Sequence, residues 1–371
     1  MNPIFEKGGK LYWLHSTVDA FETFLHVPGT VTLKGSHVRD AIDLKRILIL
    51  VVFAAAPAAL FGMWNVGYQH NLAYGISELN ILSNFWYGLL KMLPLFLVSY
   101  IVGLGIEFAS SQIRGEEVSE GYLVSGFFIP LIVPVETPLW MLAVAVAFAV
   151  IFGKEVFGGT GMNFWNPALL TRAFLFFAYP NYMSGSDCWI ALDESKATID
   201  AFTGATPLAL GGAPAQYGTS FMDLFIGTVP GSVGETSVIA ILLGAALLIW
   251  TGIASWKIML GSVAGALAVG AIAQCTGACE LPCYMHLVMG GFAFGTVFMA
   301  TDPVTSCQTE CGKWIYGLLI GMLCVVVRVF NPGYAEGMML AILLCNTFAP
   351  IIDHCVVNAH ISRKSKKIKV A

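Results

Sequence analysis

Apolar residues in this chain run in long blocks instead of recurring at the spacing of an amphipathic surface helix. Blocks near residues 46–64, 86–108, 122–135, 138–152, 168–180, 237–254, 257–275, 285–300, 314–330 and 337–355 reach or approach the length that crosses a bilayer, roughly 20 apolar residues. They predict an all-α polytopic membrane protein with ten transmembrane helices. Between the fifth and sixth blocks, about 181–236, lies the longest polar interval, rich in Gly, Ala, Ser, Thr and Pro, which reads as a large external loop.

Composition agrees with that pattern: 57% of the 371 residues are apolar and 11% charged, too little polar surface to cover a soluble globule. The nineteen Lys and Arg residues then set the orientation, because positive loops stay on the cytoplasmic side. Lys7, Lys10, Lys34, Arg39, Lys45 and Arg46 precede or begin the first span, and Arg363, Lys364, Lys366, Lys367 and Lys369 follow the last. Both termini are therefore expected on the cytoplasmic side of the membrane. Arg114, Lys154, Lys257 and Lys313 fall in the loops this assigns inside, and Lys196 alone falls outside. Lys91, Arg172 and Arg328 remain within spans. The start of the chain lacks the pattern of a cleaved secretory signal. Leu11, Trp13, Leu14, Val18, Phe21, Phe24 and Leu25 suit one face of an interfacial helix, or an ordered tail packed on a partner.

Five segments follow: a cytoplasmic amphipathic segment 1–45, a five-helix unit 46–180, the external loop 181–236, a second five-helix unit 237–355 and a basic tail 356–371. Five spans per unit would give the halves opposite orientations, as in many transport folds. Two interruptions stand out. "GKEVFGGTGMNFWNPALL" sets Gly158, Gly159, Gly161, Asn163, Asn166 and Pro167 at membrane depth, and "MGGFAFGTVFMATDPVTS" interrupts the second half similarly. Irregular backbone there requires protein or a cavity to satisfy it, so each break marks a ligand or ion site, or a closely packed helix end.

Glu107, Asp302 and Asp353 are acids in or near spans, where charge is costly and usually functional. Hard carboxylate oxygens suit sodium; near span ends such groups can also be solvated or form caps. Glu155 and Glu336 are weaker candidates of the same kind. Cys275, Cys279 and Cys283 recur every fourth residue, with Cys307 and Cys311 beyond. Metal binding, an external disulfide also involving Cys188, and plain packing all fit that spacing. In "IDAFTGATPLAL", small Gly204 and Ala205 leave the Thr206 hydroxyl sterically open, with Asp200 and Thr203 upstream.

Taken in order, "PGTVTLKGSHVRDAIDLKRI", "KEVFGGTGMNFWNPAL", "RAFLFFAYP", "TGATPLA", "GSVGETS", "GGFAFG", "MATDPV", "GKWIYG" and "EGMMLAIL" resemble the NqrB/RnfD family from end to end, and in particular its members from the sodium-translocating NADH:quinone oxidoreductase, the Nqr complex. The resemblance implies ten helices in two inverted repeats, similar to urea and ammonium channels. It implies FMN attached by a phosphoester to Thr206, within a motif that includes Asp200 and Thr203 and is read by a flavin transferase. It also implies a noncovalent riboflavin, for which Asn163 and Asn166 offer amide donors and acceptors, or else cap helices. Quinone contacts are implied at Gly103, Glu120, Gly121 and Tyr122, and at Phe174 and Phe176, where plain packing is the alternative. The family's Gly-Gly pair reads Gly103-Leu104 here. Glu107, Asp302 and Asp353 match positions proposed for Na+ passage. Implied partners are the other Nqr subunits (A, C, D, E and F), the transferase, quinone, Na+ and membrane lipid; no nucleic acid is expected.

Two function classes follow. One is a redox-driven sodium pump component that passes electrons from NADH, through partner subunits, FMN and riboflavin, to quinone, and that is inactive alone. The homologous RnfD type differs from it in electron donor. The other is a channel or secondary transporter without redox chemistry, which has no use for a flavin attachment threonine.

Overall fold

A computed structural model of the chain describes residues 15, 18, 32, 34–36, 44–76, 80–115, 118, 121–183, 188–192, 204–209, 220–331 and 336–370. Among these, regular structure is entirely helical. The main helices are α1 (Leu44–Ala73), α2 (Ile81–Arg114), α3 (Tyr122–Ile132), α4 (Leu139–Gly153), α5 (Pro167–Ala178), α6 (Val238–Trp250), α7 (Trp256–Cys275), α8 (Glu310–Phe330) and α9 (Met338–Val370).

Six of these, α1, α2, α4 taken with the 3-10 turn that carries it to Phe157, α7, α8 and α9, are long and apolar enough to cross a membrane. Only 22–50% of each apolar window is buried inside the protein, so the remainder faces outward. Phe53, Trp86, Ile101 and Trp250 are among the large apolar side chains more than half exposed, a surface that suits lipid.

The sequence blocks at 122–135, 168–180 and 237–254 become the shorter helices α3, α5 and α6, of 11, 12 and 13 residues. At 1.5 Å per residue each rises roughly 17–20 Å, less than a bilayer core of about 30 Å. Hydropathy does not register where a helix stops. α3 ends at extended Val133 ahead of Pro134, and α5 can start only at Asn166-Pro167, with Asn166 as its cap. The block 285–300 is not one helix. It consists of Met285–Val288, an extended Met289, Phe292–Phe294 and a π-helical turn at Gly295–Met299. Backbone carbonyls freed at this break are satisfied from α8: Arg328 donates to His286 O at 2.6 Å and to Met289 O at 2.9 Å. Conversely α9 runs on into the basic stretch expected as a separate tail.

Helices α7 and α8 approach through small residues on both sides, Gly261 and Gly265 against Gly317 and Gly321. A Cβ on Gly321 would overlap Ser262 O of α7. Gly321→Leu is therefore expected to force the pair apart and cost about 1–3 kcal/mol, read as a lower unfolding midpoint in detergent.

Candidate functional site

Two cavities lie along α1. The first opens beside Ile47, Leu48 and Val51 near its start. The second is lined by Val229, whose carbonyl accepts from Asn65 at 2.9 Å further along the helix. Residues 48–51 and 65 are separated by roughly 20–25 Å of helix rise, so the cavities occupy opposite ends of α1.

The first cavity holds about 100 Å³ of free space behind a partly open mouth. Gly121, Lys154, Asn163, Asn166 and Asp302 all line it. The chain reaches this arrangement because α4 stops at Gly153, a single 3-10 turn follows, and Gly158, Gly159 and Gly161 then take left-handed φ values of 116°, 92° and 93°. Such a path suits glycine. It brings Asn163 and Asn166 round to the cavity wall.

Both asparagine amides keep spare capacity. Asn163 accepts from Gly161 N at 3.3 Å and donates to Trp165 O at 3.0 Å. Asn166 accepts from Ala168 N at 2.9 Å, capping α5, and donates to Asp302 Oδ2 at 3.1 Å. In these bonds each amide uses one of two N–H donors and one of two lone pairs, which leaves one of each for a ligand. A flat heteroaromatic group with alternating donors and acceptors, such as an isoalloxazine, fits that donor set. Asp302 is itself held by Val304 N and the Thr305 hydroxyl, each at 3.1 Å.

Behind this wall Lys154 Nζ meets Glu107 Oε1 at 2.6 Å, with the two side chains 3% and 1% exposed. Lys154, read from sequence as a loop charge, is thus an interior cation. Its ammonium lies 5.9 Å from the centroid of the Tyr122 ring. Tyr122 is fully buried, donates to Ser99 O at 3.0 Å and fills the space left by Gly103, where a Cβ would overlap the ring. Gly103 and Tyr122 therefore lock α2 to α3, and neither lines the cavity beside their neighbour Gly121. Glu120 lies outside the described residues.

Phe174 and Phe176 are also away from the cavity. Phe174 stacks on Phe148 at 4.7 Å and lines an apolar, open groove with Trp165, Phe177, Leu343 and Thr347, while Phe176 packs edge-on against Phe177. Trp165 Nε1 donates to Thr347 Oγ1 at 3.0 Å across the groove. Residues 163–166 thus form a shared wall, with asparagines toward the cavity and a tryptophan toward the groove. Asp353 joins neither: it accepts from Gln308 N, Thr309 N and the Thr309 hydroxyl, tying α9 to the start of α8.

The second cavity, with about 50 Å³ of free space, contains Thr206 in its lining. Thr206 sits half-buried on the turn 204–209, and its Oγ1 accepts from Ala209 N at 3.2 Å, so the hydroxyl proton is not used in that bond. Asp200 and Thr203 lie outside the described residues. Glu235 and Glu336 also line this cavity. Arg172 pairs with Glu235 and stands 3.9 Å from Glu336, whose Oε1 accepts from Gly291 N at 2.7 Å. This network ties α5 to the break after Met289. Breaking a buried pair by removing one partner leaves an uncompensated charge. Arg172→Met is expected to cost about 3–5 kcal/mol in detergent unfolding, largely recovered by adding Glu235→Gln.

Arg172, Arg328 and Lys154, the partner of Glu107, escaped the sequence reading as site residues, although basic residues in apolar stretches were a usable signal. Glu155 contacts Arg114 at 3.4 Å. All nine cysteines are free, and no group of three or more His, Cys, Asp and Glu that could hold a metal ion occurs among the described residues.

The chain is 45% identical over 392 aligned residues to the B subunit of the Na(+)-translocating NADH-quinone reductase of Stutzerimonas stutzeri strain A1501, covering 97% of this chain and 96% of the relative. It is 44% identical to the protein of that name from Pseudomonas aeruginosa strain LESB58, with the same coverage. With the one from Klebsiella pneumoniae strain 342 it shares 43% identity over 410 aligned residues, 99% of this chain and 98% of the relative. Residues 31–362 match the NQR2, RnfD, RnfE family, and with end-to-end similarity to these relatives the chain belongs to that family.

Proposed function

We propose that this chain is the membrane-embedded B subunit of a Na+-translocating NADH-quinone reductase, works only in the assembled complex, and passes electrons through two flavins to quinone while Na+ is exported. The observation that carries the reading is the wall at 163–166, whose two asparagines line a cavity and whose tryptophan lines an apolar groove. Riboflavin occupies the cavity, held by Asn163 and Asn166. Quinone enters the groove along Phe174, with its tail among outward-facing side chains. FMN is esterified to Thr206 at the other end of α1 by a flavin transferase that reads Asp200 and Thr203.

When bound, the flavins supply the electron-carrying chemistry, and the chain binds them, orients them and keeps water away. The six long helices, the three shorter ones and the broken 285–300 segment together support ten crossings in two inverted five-helix units, 46–180 and 237–355, related to the urea and ammonium channel architecture. The basic ends of α1 and α9 support cytoplasmic termini in an inner membrane, with the Thr206 loop outside. The A, C, D, E and F subunits complete the assembly, and Glu107, Asp302 and Asp353 belong to the Na+ path. The affinity-tagged chain should co-purify from membranes with Na+-stimulated NADH:quinone reductase activity, and should have none when expressed alone. Purification of a stable complex without that activity would contradict the assignment.

A further inference from the structure

We infer that Lys154 is a tethered cation that occupies the Glu107 carboxylate when the neighbouring cavity is neutral and turns into that cavity when it gains negative charge, opening Glu107 to one monovalent cation. The inference rests on the reading of the first cavity as a flavin site. Three observations lead to it. Lys154 both contacts Glu107 at 2.6 Å and lines the cavity, so one side chain borders two sites. Its backbone sits at the C-terminal cap of α4, outside the regular helix, and its ammonium, on a flexible four-carbon stem, lies 5.9 Å from the centroid of the Tyr122 ring, a face that tolerates a moving cation. Glu107 is buried on α2, where a carboxylate left without a cation is strongly disfavoured.

The charges balance. NADH oxidised by the assembly supplies an electron, and its arrival in the cavity adds one negative charge beside Lys154. The ammonium moves toward it, and one Na+ enters at Glu107, so electron and cation together leave the interior charge unchanged. Passing the electron to quinone removes the attraction, and the returning ammonium displaces Na+. A compact ammonium and a hydrated alkali cation compete for the same oxygens, so the lysine makes occupancy conditional on charge in the cavity. Lys154 is a positioning residue in this scheme, acting through Glu107.

The test uses the purified, oxidised complex and equilibrium dialysis with radioactive Na+. Lys154→Met should bind one Na+ more per complex than wild type, or bind it roughly tenfold or more tightly, within the ordinary range of coupling between sites. The extra ion should disappear in Lys154→Met/Glu107→Gln, in which both charges are gone. Should Lys154→Met be unstable, its unfolding midpoint should rise with NaCl relative to choline chloride by more than that of wild type or of the double variant. Equal Na+ binding by wild type and Lys154→Met, or a midpoint that Na+ raises no more than in wild type, would overturn the inference. Riboflavin content, measured on the same samples, separates the two readings: its absence from wild type would refute the cavity assignment, whereas dialysis reports on the Lys154–Glu107 pair alone.

Discussion

Thr206→Ala is expected to leave this chain dark under ultraviolet light in a denaturing gel, while the wild-type band, produced with its flavin transferase, fluoresces. A phosphoester survives denaturation, and the substitution removes the only oxygen on that side chain able to form it. Its structural cost should be small. Thr206 is half-buried on a turn and makes one hydrogen bond there, to Ala209 N, worth about 0.5–1.5 kcal/mol. The complex should therefore assemble with normal riboflavin content but reduce no quinone from NADH. Thr206→Ser, which restores a hydroxyl, should recover the fluorescent band. A fluorescent Thr206→Ala band would move the attachment site elsewhere.

Asn163→Leu is the second large effect. It removes both hydrogen-bonding groups of the amide, leaves Gly161 N and Trp165 O without their partner, and presents apolar surface to the polar edge of the ring. Loss of a buried partner costs about 1–3 kcal/mol, which corresponds to roughly 5- to 150-fold in flavin affinity. Riboflavin recovered from the acid supernatant of the purified complex should fall accordingly, with the Thr206 band unchanged. Asn166 has to be probed differently, because Asn166→Ala also removes the cap of α5, a loss of about 1 kcal/mol. Asn166→Ser keeps a capping oxygen while deleting the donor to Asp302, so riboflavin loss in that variant reports on the cavity and not on helix unwinding.

Much of this organisation was legible from sequence for identifiable reasons. Long apolar blocks reveal long helices, because crossing lipid leaves a compositional mark no tertiary contact overrides. Gly158–Gly161 and Asn166-Pro167 announce their break because left-handed backbone and a proline at a helix start each restrict residue choice. The gathering of Asn163, Asn166 and Asp302 was not legible, since 136 residues separate Asn166 from the Asp302 carboxylate it contacts. Lys154 was misread for a related reason. Its sequence neighbours Gly153 and Glu155 suggest a loop, and only the fold shows that Glu107 on α2 receives it inside the protein. The interlock of Gly103 with the Tyr122 ring, which joins α2 to α3, was not legible either. The six long helices were recovered at least in their centres. The short length of α3, α5 and α6 was not legible, because a hydropathy window counts apolar residues whether or not their backbone is helical.

The most direct measurement places the complex, purified through this chain, in sealed proteoliposomes with quinone in the bilayer and radioactive Na+ outside. On addition of NADH to vesicles with the NADH-oxidising side outward, Na+ should accumulate inside, persist or increase with a protonophore, and be absent with Thr206→Ala. Uptake that needs no NADH, that is abolished by the protonophore, or that survives in Thr206→Ala would contradict a redox-driven sodium pump working through this chain.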